Sequence, residues 1–297
     1  MVKLRALFHA ARVHHYVKNG FIWLPLIFGH KLLDPAAVQR TLGGFVAFSL
    51  AASAVYVLND IRDRNEDRLH PTKRLRPIAS GAVSVAEAGG FSLLLFASGV
   101  VLAFLLLPNT FLGVILAYVG LNVAYSLHLK SLAIMDIVCI AIGFVLRIVA
   151  GGIAAEVSIS HWIVIMTFLM ALFLGLTKRR DDLMTRAASD DWNRTSLSGY
   201  SLEFISLGIT VLSAVLVVAY ILYTVSPEIT RIHHSRHLYL SAGWVVVGIL
   251  RYLQRIFVYR QPGSPVALLF GDRILQLILI GWILHTLLIL YGGRLWS

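Results

Sequence analysis

Cysteine is nearly absent: Cys139 is the one thiol in 297 residues. That excludes a disulfide framework and a metal site built on paired cysteines. Charge is scarce too, at 14% of residues, where a soluble domain carries about a quarter. Acids are the scarcer sign, 15 against 26 bases, for a net charge of +11. Yet no stretch is polar for long enough to build a soluble domain. The basic excess therefore has no face on which to meet DNA or RNA, and no nucleic-acid partner is expected. Hydrophobic residues fill the rest, 58% of the chain, and mean hydropathy is +0.78.

A bilayer is crossed by about 20 apolar residues in a helix. Nine segments qualify, at 17–33, 41–59, 88–107, 110–127, 133–154, 161–177, 203–225, 238–257 and 274–291. The expectation is an all-α, polytopic membrane protein with nine transmembrane helices forming one domain over 1–297. With the N-terminus in the cytoplasm, 19 bases fall on the cytoplasmic side, 5 on the other, and Arg147 and Arg251 within apolar segments. Such asymmetry orients the chain by the positive-inside rule and attracts anionic lipid. This predicts an inner or plasma membrane protein with its N-terminus and polar loops in the cytoplasm. Residues 1–16 are basic and amphipathic without a cleavage-site pattern, which reads as an interfacial helix.

Two polar loops, 60–87 and 178–202, follow the second and sixth apolar segments. That spacing suggests two similar four-helix halves with one helix added. The first loop is dense, with ten charged residues between Asp60 and Arg76. Asn59, Asp63 and Asp67 recur every fourth residue, and Asp60 lies three and seven before the last two. If the helix continues through Asp67, all four share one stripe. Stacked acids repel unless a cation lies among them, and one or two carboxylates completed by phosphate and water suit Mg²⁺. Alternatively, this is a solvated helix end neutralised by Arg62, Arg64 and Arg68. The bases that follow favour the metal. Pro71 and Pro77 break the helix, so Lys73, Arg74 and Arg76 can turn back toward the acids. Acids for a metal beside bases for the remaining charge make a diphosphate site at the membrane surface.

Arg147 lies mid-span, where a cation is costly and turns to the protein interior or a cavity. Asp136, eleven residues earlier, is about 16 Å away along the helix, too far to pair with it. Arg147 is then either held by another helix or bound to a substrate phosphate. His233, His234 and His237 have metal-compatible spacing but read as a solvated outer loop, and His14 and His15 as interfacial.

"NDIRDRNEDRLHP" resembles the NDxxDxxxD motif of the UbiA superfamily of intramembrane prenyltransferases, at Asn59, Asp60, Asp63 and Asp67. The resemblance spans nearly the whole chain and implies a nine-helix UbiA-like bundle with a cytoplasmic-side active site. Members acting on aromatic acceptors carry a DxxxD motif after the sixth helix. Here "KRRDDLMTR" has Asp181 and Asp182 adjacent, and Arg186 where a further acid is expected. Together with "RVHHYVKNG", "HPTKRLRPIASG" and "YSLHLK", this looks like the decaprenyl-phosphate phosphoribosyltransferase branch.

That branch implies transfer of 5-phosphoribose from phosphoribosyl diphosphate to a polyprenyl phosphate, with Mg²⁺. Asn59, Asp63 and Asp67 would hold the metal, with Asp60 beside them in the catalytic set. Phosphate contacts would come from Lys18, Asn19, Lys73, Arg74, Arg76, Lys130 and Arg147, from Lys178, Arg179 and Asp182, and from Tyr56 and Tyr125. The lipid phosphate, already an anion, attacks C1 without a strong base, so positioning and charge stabilisation dominate. The alternatives are a prenyltransferase with a small acceptor and, outside enzymes, a transporter or lipid-binding scaffold. Transporters place ionisable groups and broken helices at the midplane, whereas most charge here sits at one face. The sequence leaves a homo-oligomer open.

Overall fold

The computed structural model describes residues 2–69, 72–187, 198–233, 235–259 and 265–295, and every element among them is helical. The α-helices are α1 (Val2–Ala10), α2 (Leu24–Phe28), α3 (Pro35–Arg62), α4 (Arg64–Leu69), α5 (Val85–Leu106), α6 (Asn109–Leu127) and α7 (Met135–Ala155). They continue as α8 (His161–Ala187), α9 (Leu202–Val225), α10 (Pro227–His233), α11 (Ala242–Phe257), α12 (Pro265–Gly271) and α13 (Arg273–Leu295). Seven of these, α3, α5 to α9 and α13, are long and apolar enough to cross a membrane.

The other two expected spans are composite. Segment 17–33 is a 3-10 stretch, Val13–Trp23, running into the five-residue α2. Pro25 sits in the first turn of α2, where its missing N–H costs nothing, and Gly29 closes that helix. Segment 238–257 is a short 3-10 turn followed by the 16 residues of α11. The interfacial helix expected over 1–16 ends at Ala10, because Arg12 takes a left-handed backbone, φ 52° and ψ 47°.

The chain divides into two compact units: Met1–Lys130 with Ile142–Ile159, and Ser131–Ala141 with Ser160–Ser297. In the first, α3 is the central helix and packs chiefly on α5. Its run of small residues explains the close approach. Ala47, Ala51, Ala52 and Ala54 are buried, and a Cβ on Gly99 of α5 would lie 2.8 Å from the Ala47 carbonyl oxygen. Membrane helices associate through such small surfaces, since lipid supplies no hydrophobic drive between them. Ser92 Oγ donates to the Ala54 carbonyl at 2.9 Å, and Phe48, Phe111 and Ile115 fill the remaining core. Gly151 matters likewise: a Cβ there would meet the Ile22 carbonyl oxygen at 2.1 Å, so only glycine lets α7 lie against the 3-10 stretch. The outer surface of α5 shows Leu93, Leu94, Phe104 and Leu105, a face suited to hydrocarbon.

The second unit is built round α9. Ile205, Ile209 and Leu216 pack with Phe173 and Leu176 of α8 and with Ile249, Tyr252 and Ile256 of α11. Asp272 starts α13, accepting from Ile274 N and Leu275 N at 2.8 and 3.1 Å.

Candidate active site

The acids gather where α3 ends. Asp63 is the C-cap of α3, yet its N–H still donates to the Asn59 carbonyl at 2.9 Å, and Asp67 N donates to the Asp63 carbonyl at 2.8 Å. The helical path is thus kept into α4, as the stripe requires. At about 100° per residue, residues 59 and 63 project ~40° apart and residues 60 and 67 ~20° apart, so the stripe has two edges. On one, the Asn59 side-chain oxygen accepts from Ser126 Oγ at the end of α6, and Asp63 is paired with Lys130 Nζ at 2.8 Å. On the other, Arg76 Nη1 lies 3.2 Å from Asp60 and 2.6 Å from Asp67. Arg12 closes on the same Asp60 oxygen. Both Asp60 and Asp67 are buried.

The neutralising bases are therefore Arg12, Arg76 and Lys130 rather than the neighbours along the helix. Arg62 donates to the Leu127 carbonyl at 3.4 Å, and Arg68 to the Ala79 carbonyl at 3.0 Å. The turn after Pro71 brings Arg76 back as expected. Lys73 is half-buried in the same turn and Arg74 is exposed. His70 and Pro71 themselves lie outside the described residues. Tyr56 is half-buried, with the Arg12 guanidinium 5.4 Å from its ring centre and the His15 ring edge-on at 5.3 Å. Tyr125 and Lys18 are half-buried.

Asn19 and Arg147 meet elsewhere in this unit. Arg147 is 4% exposed. It donates to Asn19 Oδ1 at 2.8 Å, to the Gly143 carbonyl at 2.7 Å and to the Tyr118 hydroxyl at 3.2 Å. The rings of Phe48, Tyr118 and Phe144 lie 4.9–5.3 Å from the guanidinium carbon. Asn19 in turn donates to Ser49 Oγ at 2.8 Å. Ser49 precedes Asn59 by ten residues on α3, about 15 Å along the axis. Arg147 thus clasps the interior through neutral partners.

The second unit has its own polar centre. Asp136 and Arg179 are fully buried. Arg179 Nε donates to Asp136 at 2.7 Å, and its Nη1 donates to Asp182 at 2.5 Å. The Tyr200 hydroxyl donates to the other Asp136 oxygen at 2.7 Å and accepts from Ile134 N at 2.6 Å. Burial, and then the bond to Asp136, push the Tyr200 hydroxyl far above the usual phenol range, so it stays a donor. One carboxylate thereby ties both ends of the second polar loop: Arg179 before it and Tyr200 after it. Arg179, expected on a phosphate, faces two carboxylates instead. Lys178 is exposed. Residues 188–197 of this loop are outside the described residues, as is His234.

His233 corrects the solvated-loop expectation. It ends α10, is buried, and its Nε2 lies 3.3 Å from the Tyr223 hydroxyl. A neighbouring tyrosine on α9 satisfies it, while His237 is exposed. Sequence reasoning also passed over Arg12, Ser126, Asp136 and Tyr200 as partners. Asp136 carried a signal, an acid inside an apolar run.

The fit to Mg²⁺ turns on the donors. Among the described residues, no group of three or more His, Cys, Asp or Glu side chains could hold a metal ion. Asp60 and Asp67, however, converge on a single cationic nitrogen. Two carboxylates completed by phosphate oxygens and water are an ordinary Mg²⁺ set, and the residues present fit that ion.

The UbiA prenyltransferase family profile matches residues 21–188. The chain belongs to that family. Among relatives, it is 33% identical to the decaprenyl-phosphate phosphoribosyltransferase of Mycolicibacterium smegmatis, over 93% of this chain and 90% of that protein. It is 35% identical to protein y4nM of Sinorhizobium fredii over 88% of this chain, and spans 51% of that longer protein. Among solved structures, a UbiA homologue from Archaeoglobus fulgidus bound to DMAPP and Mg²⁺ superposes with a TM-score of 0.70. It covers 98% of this chain and 99% of its own at 19% identity, a likeness of fold. UbiA membership and the names of these relatives place the protein among transferases.

Proposed function

We propose that this UbiA protein transfers 5-phosphoribose from phosphoribosyl diphosphate to a polyprenyl phosphate, releasing diphosphate. The observation that carries the reading is the set of acids and bases at the end of α3, where Arg76 draws Asp60 and Asp67 together with Arg12 and Lys130 alongside. The choice of a phosphoribosyl donor draws support from the near-full-length relatives of that name and from the missing DxxxD motif. The prenyltransferase alternative draws on a neighbour solved with DMAPP and Mg²⁺, but at that identity the likeness concerns fold.

Asp60 and Asp67, with Asn59 and Asp63 beside them, would hold Mg²⁺, which when bound would help to neutralise the charge on the leaving diphosphate. Arg76 and Lys130 sit where they can turn from carboxylates to phosphate oxygens, and Lys73 and Arg74 extend the same basic edge. Fixed cations count most as charge builds on the departing diphosphate. The lipid phosphate needs orienting, not deprotonating. Lys18, Tyr56 and Tyr125 are kept as phosphate contacts. Arg179 becomes a positioning residue for Asp182, and Arg147 a structural clasp. The positive-inside count supports a plasma or inner membrane location with these acids at the cytoplasmic end, and nine crossings if both composite segments span.

The test is purified protein in lipid or detergent with labelled phosphoribosyl diphosphate, polyprenyl phosphate and Mg²⁺. A labelled lipid that disappears on chelation is expected. Label transfer only from a prenyl diphosphate to a small acceptor would replace this reading by the alternative.

A further inference from the structure

We propose that Arg12, delivered by the N-terminal segment, is a diphosphate-binding residue of this site. The inference rests on the acid cluster being a metal–diphosphate site, whichever donor carries the diphosphate.

The backbone is the first ground. Arg12 follows α1 with φ 52° and ψ 47°, a left-handed conformation that is strained for any residue with a Cβ. Strain of that kind persists only where the surroundings over-determine it, and here they do. Ser53 Oγ donates to the Ala11 carbonyl at 2.7 Å, and the Tyr16 hydroxyl meets the same Ser53 oxygen at 3.0 Å. Leu7 and Ala10 of α1 pack with Val57, Ile78 and Val83. The chain on both sides of Arg12 is thereby bolted to α3, and the guanidinium is aimed at Asp60.

Charge arrangement is the second ground. Arg12 and Arg76 share one oxygen of Asp60, and Arg76 also serves Asp67. Cation, anion, cation and anion alternate, so removing Arg12 leaves Asp60 still paired through Arg76. Two guanidiniums on one carboxylate oxygen do not by themselves mark a site, since Arg251 and Arg255 share an Asp272 oxygen in the same way. What sets this cluster apart is the second acid on Arg76: with Mg²⁺ held by Asp60 and Asp67, the arginine forks would be free to take phosphate oxygens two at a time. The Arg12 side chain is 20% exposed, enough for that exchange.

The experiment measures binding of inorganic diphosphate with Mg²⁺ by calorimetry, beside thermal melting of each protein. Arg12→Met should fold, because Asp60 keeps Arg76, and should bind diphosphate at least about tenfold more weakly through loss of a charged hydrogen bond. Arg12→Lys keeps the charge but not the fork and should fall between wild type and Arg12→Met, with an unchanged melting temperature. Should Arg12→Met fail to fold, the Lys variant alone decides. Arg40→Gln, which touches Glu156 and the Ala154 carbonyl, should leave diphosphate affinity unchanged. Wild-type affinity in both Arg12 variants, with a lowered melting temperature, would make Arg12 a structural tie and overturn the proposal. So would a wild-type protein that binds no Mg²⁺–diphosphate. Because diphosphate is common to phosphoribosyl and prenyl donors, an error in the donor leaves this result standing.

Discussion

Arg147 and Arg179 are both buried guanidiniums in helices rich in hydrocarbon, at 4% and 1% exposure, yet they are satisfied in opposite ways. Arg179 lies between two carboxylates, one fully buried. Arg147 has an amide, a backbone carbonyl, a phenol and three aromatic faces. The first is an ion pair whose two halves depend on each other. The second is a charge dissolved in neutral dipoles and ring quadrupoles. Burial alone therefore says little about what a cation does. Its partners decide what is stranded when it goes.

The largest expected effect follows from that difference. Arg179→Met leaves Asp136 buried without its counter-charge, a loss of about 3–5 kcal/mol, although Tyr200 still donates to it. Melting should fall sharply, and the folded remainder should show faster proteolysis in the second polar loop, whose ends lose their shared tie. A melting temperature equal to wild type would erase the contrast between the two arginines.

Next in size is Asp136→Asn. Arg179 keeps Asp182, so its charge is still paired, and Tyr200 can still donate to the amide oxygen. About 2–3 kcal/mol should be lost, as a charged hydrogen bond becomes a neutral one and a buried cation loses half its acid. Under the proposed reaction, the kinetic mark should be a loss in kcat or KM beyond that explained by folded fraction, reversed in part by Asp136→Glu. Loss of stability with unchanged kinetics would make the network structural only.

Arg147→Met should cost less, about 1–2 kcal/mol. The neutral acceptors it leaves each lose a hydrogen bond, but no charge is stranded and an expensive buried cation is removed. Diphosphate affinity should stay at the wild-type value, since the hydrogen bonds of Arg147 go to neutral groups and to none of the acids. Weakened diphosphate binding in a fully folded variant would return Arg147 to the site.

How far these centres were visible in the sequence follows from the range of the forces. The long apolar helices and the NDxxDxxxD stripe are local patterns, and hydropathy or an i, i+4 count finds them. The return of Arg76 was legible too, because prolines punctuate the loop. Arg12 meeting Asp60 was not, since 48 residues separate them and the aim depends on one left-handed residue. Arg179 meeting Asp136 across 43 residues is a tertiary fact of the same kind. Two composite spans escaped because hydropathy counts apolar residues without asking whether they hold α geometry, and 3-10 stretches occupy Val13–Trp23 and Leu238–Ser241. Arg147 was flagged correctly as anomalous, but only the fold shows that its partners are neutral.

The smallest expected effect is also the sharpest on the comparison. Asn19→Asp gives Arg147 the carboxylate that Arg179 already has. The new acid must be desolvated, which costs, but it lies on Arg147 Nε at 2.8 Å, and Ser49 Oγ can turn its proton to the second oxygen. Those terms oppose one another, so stability should change by no more than about 1 kcal/mol. The same substitution made on Arg147→Met buries an unpaired carboxylate and should cost about 3–5 kcal/mol. The double-mutant cycle, read by melting, should therefore show a coupling of at least ~2 kcal/mol between positions 19 and 147. Equal effects of Asn19→Asp in both backgrounds would mean that the charge on Arg147 is already compensated by another group, and the account of it as a cation among neutral partners would fail.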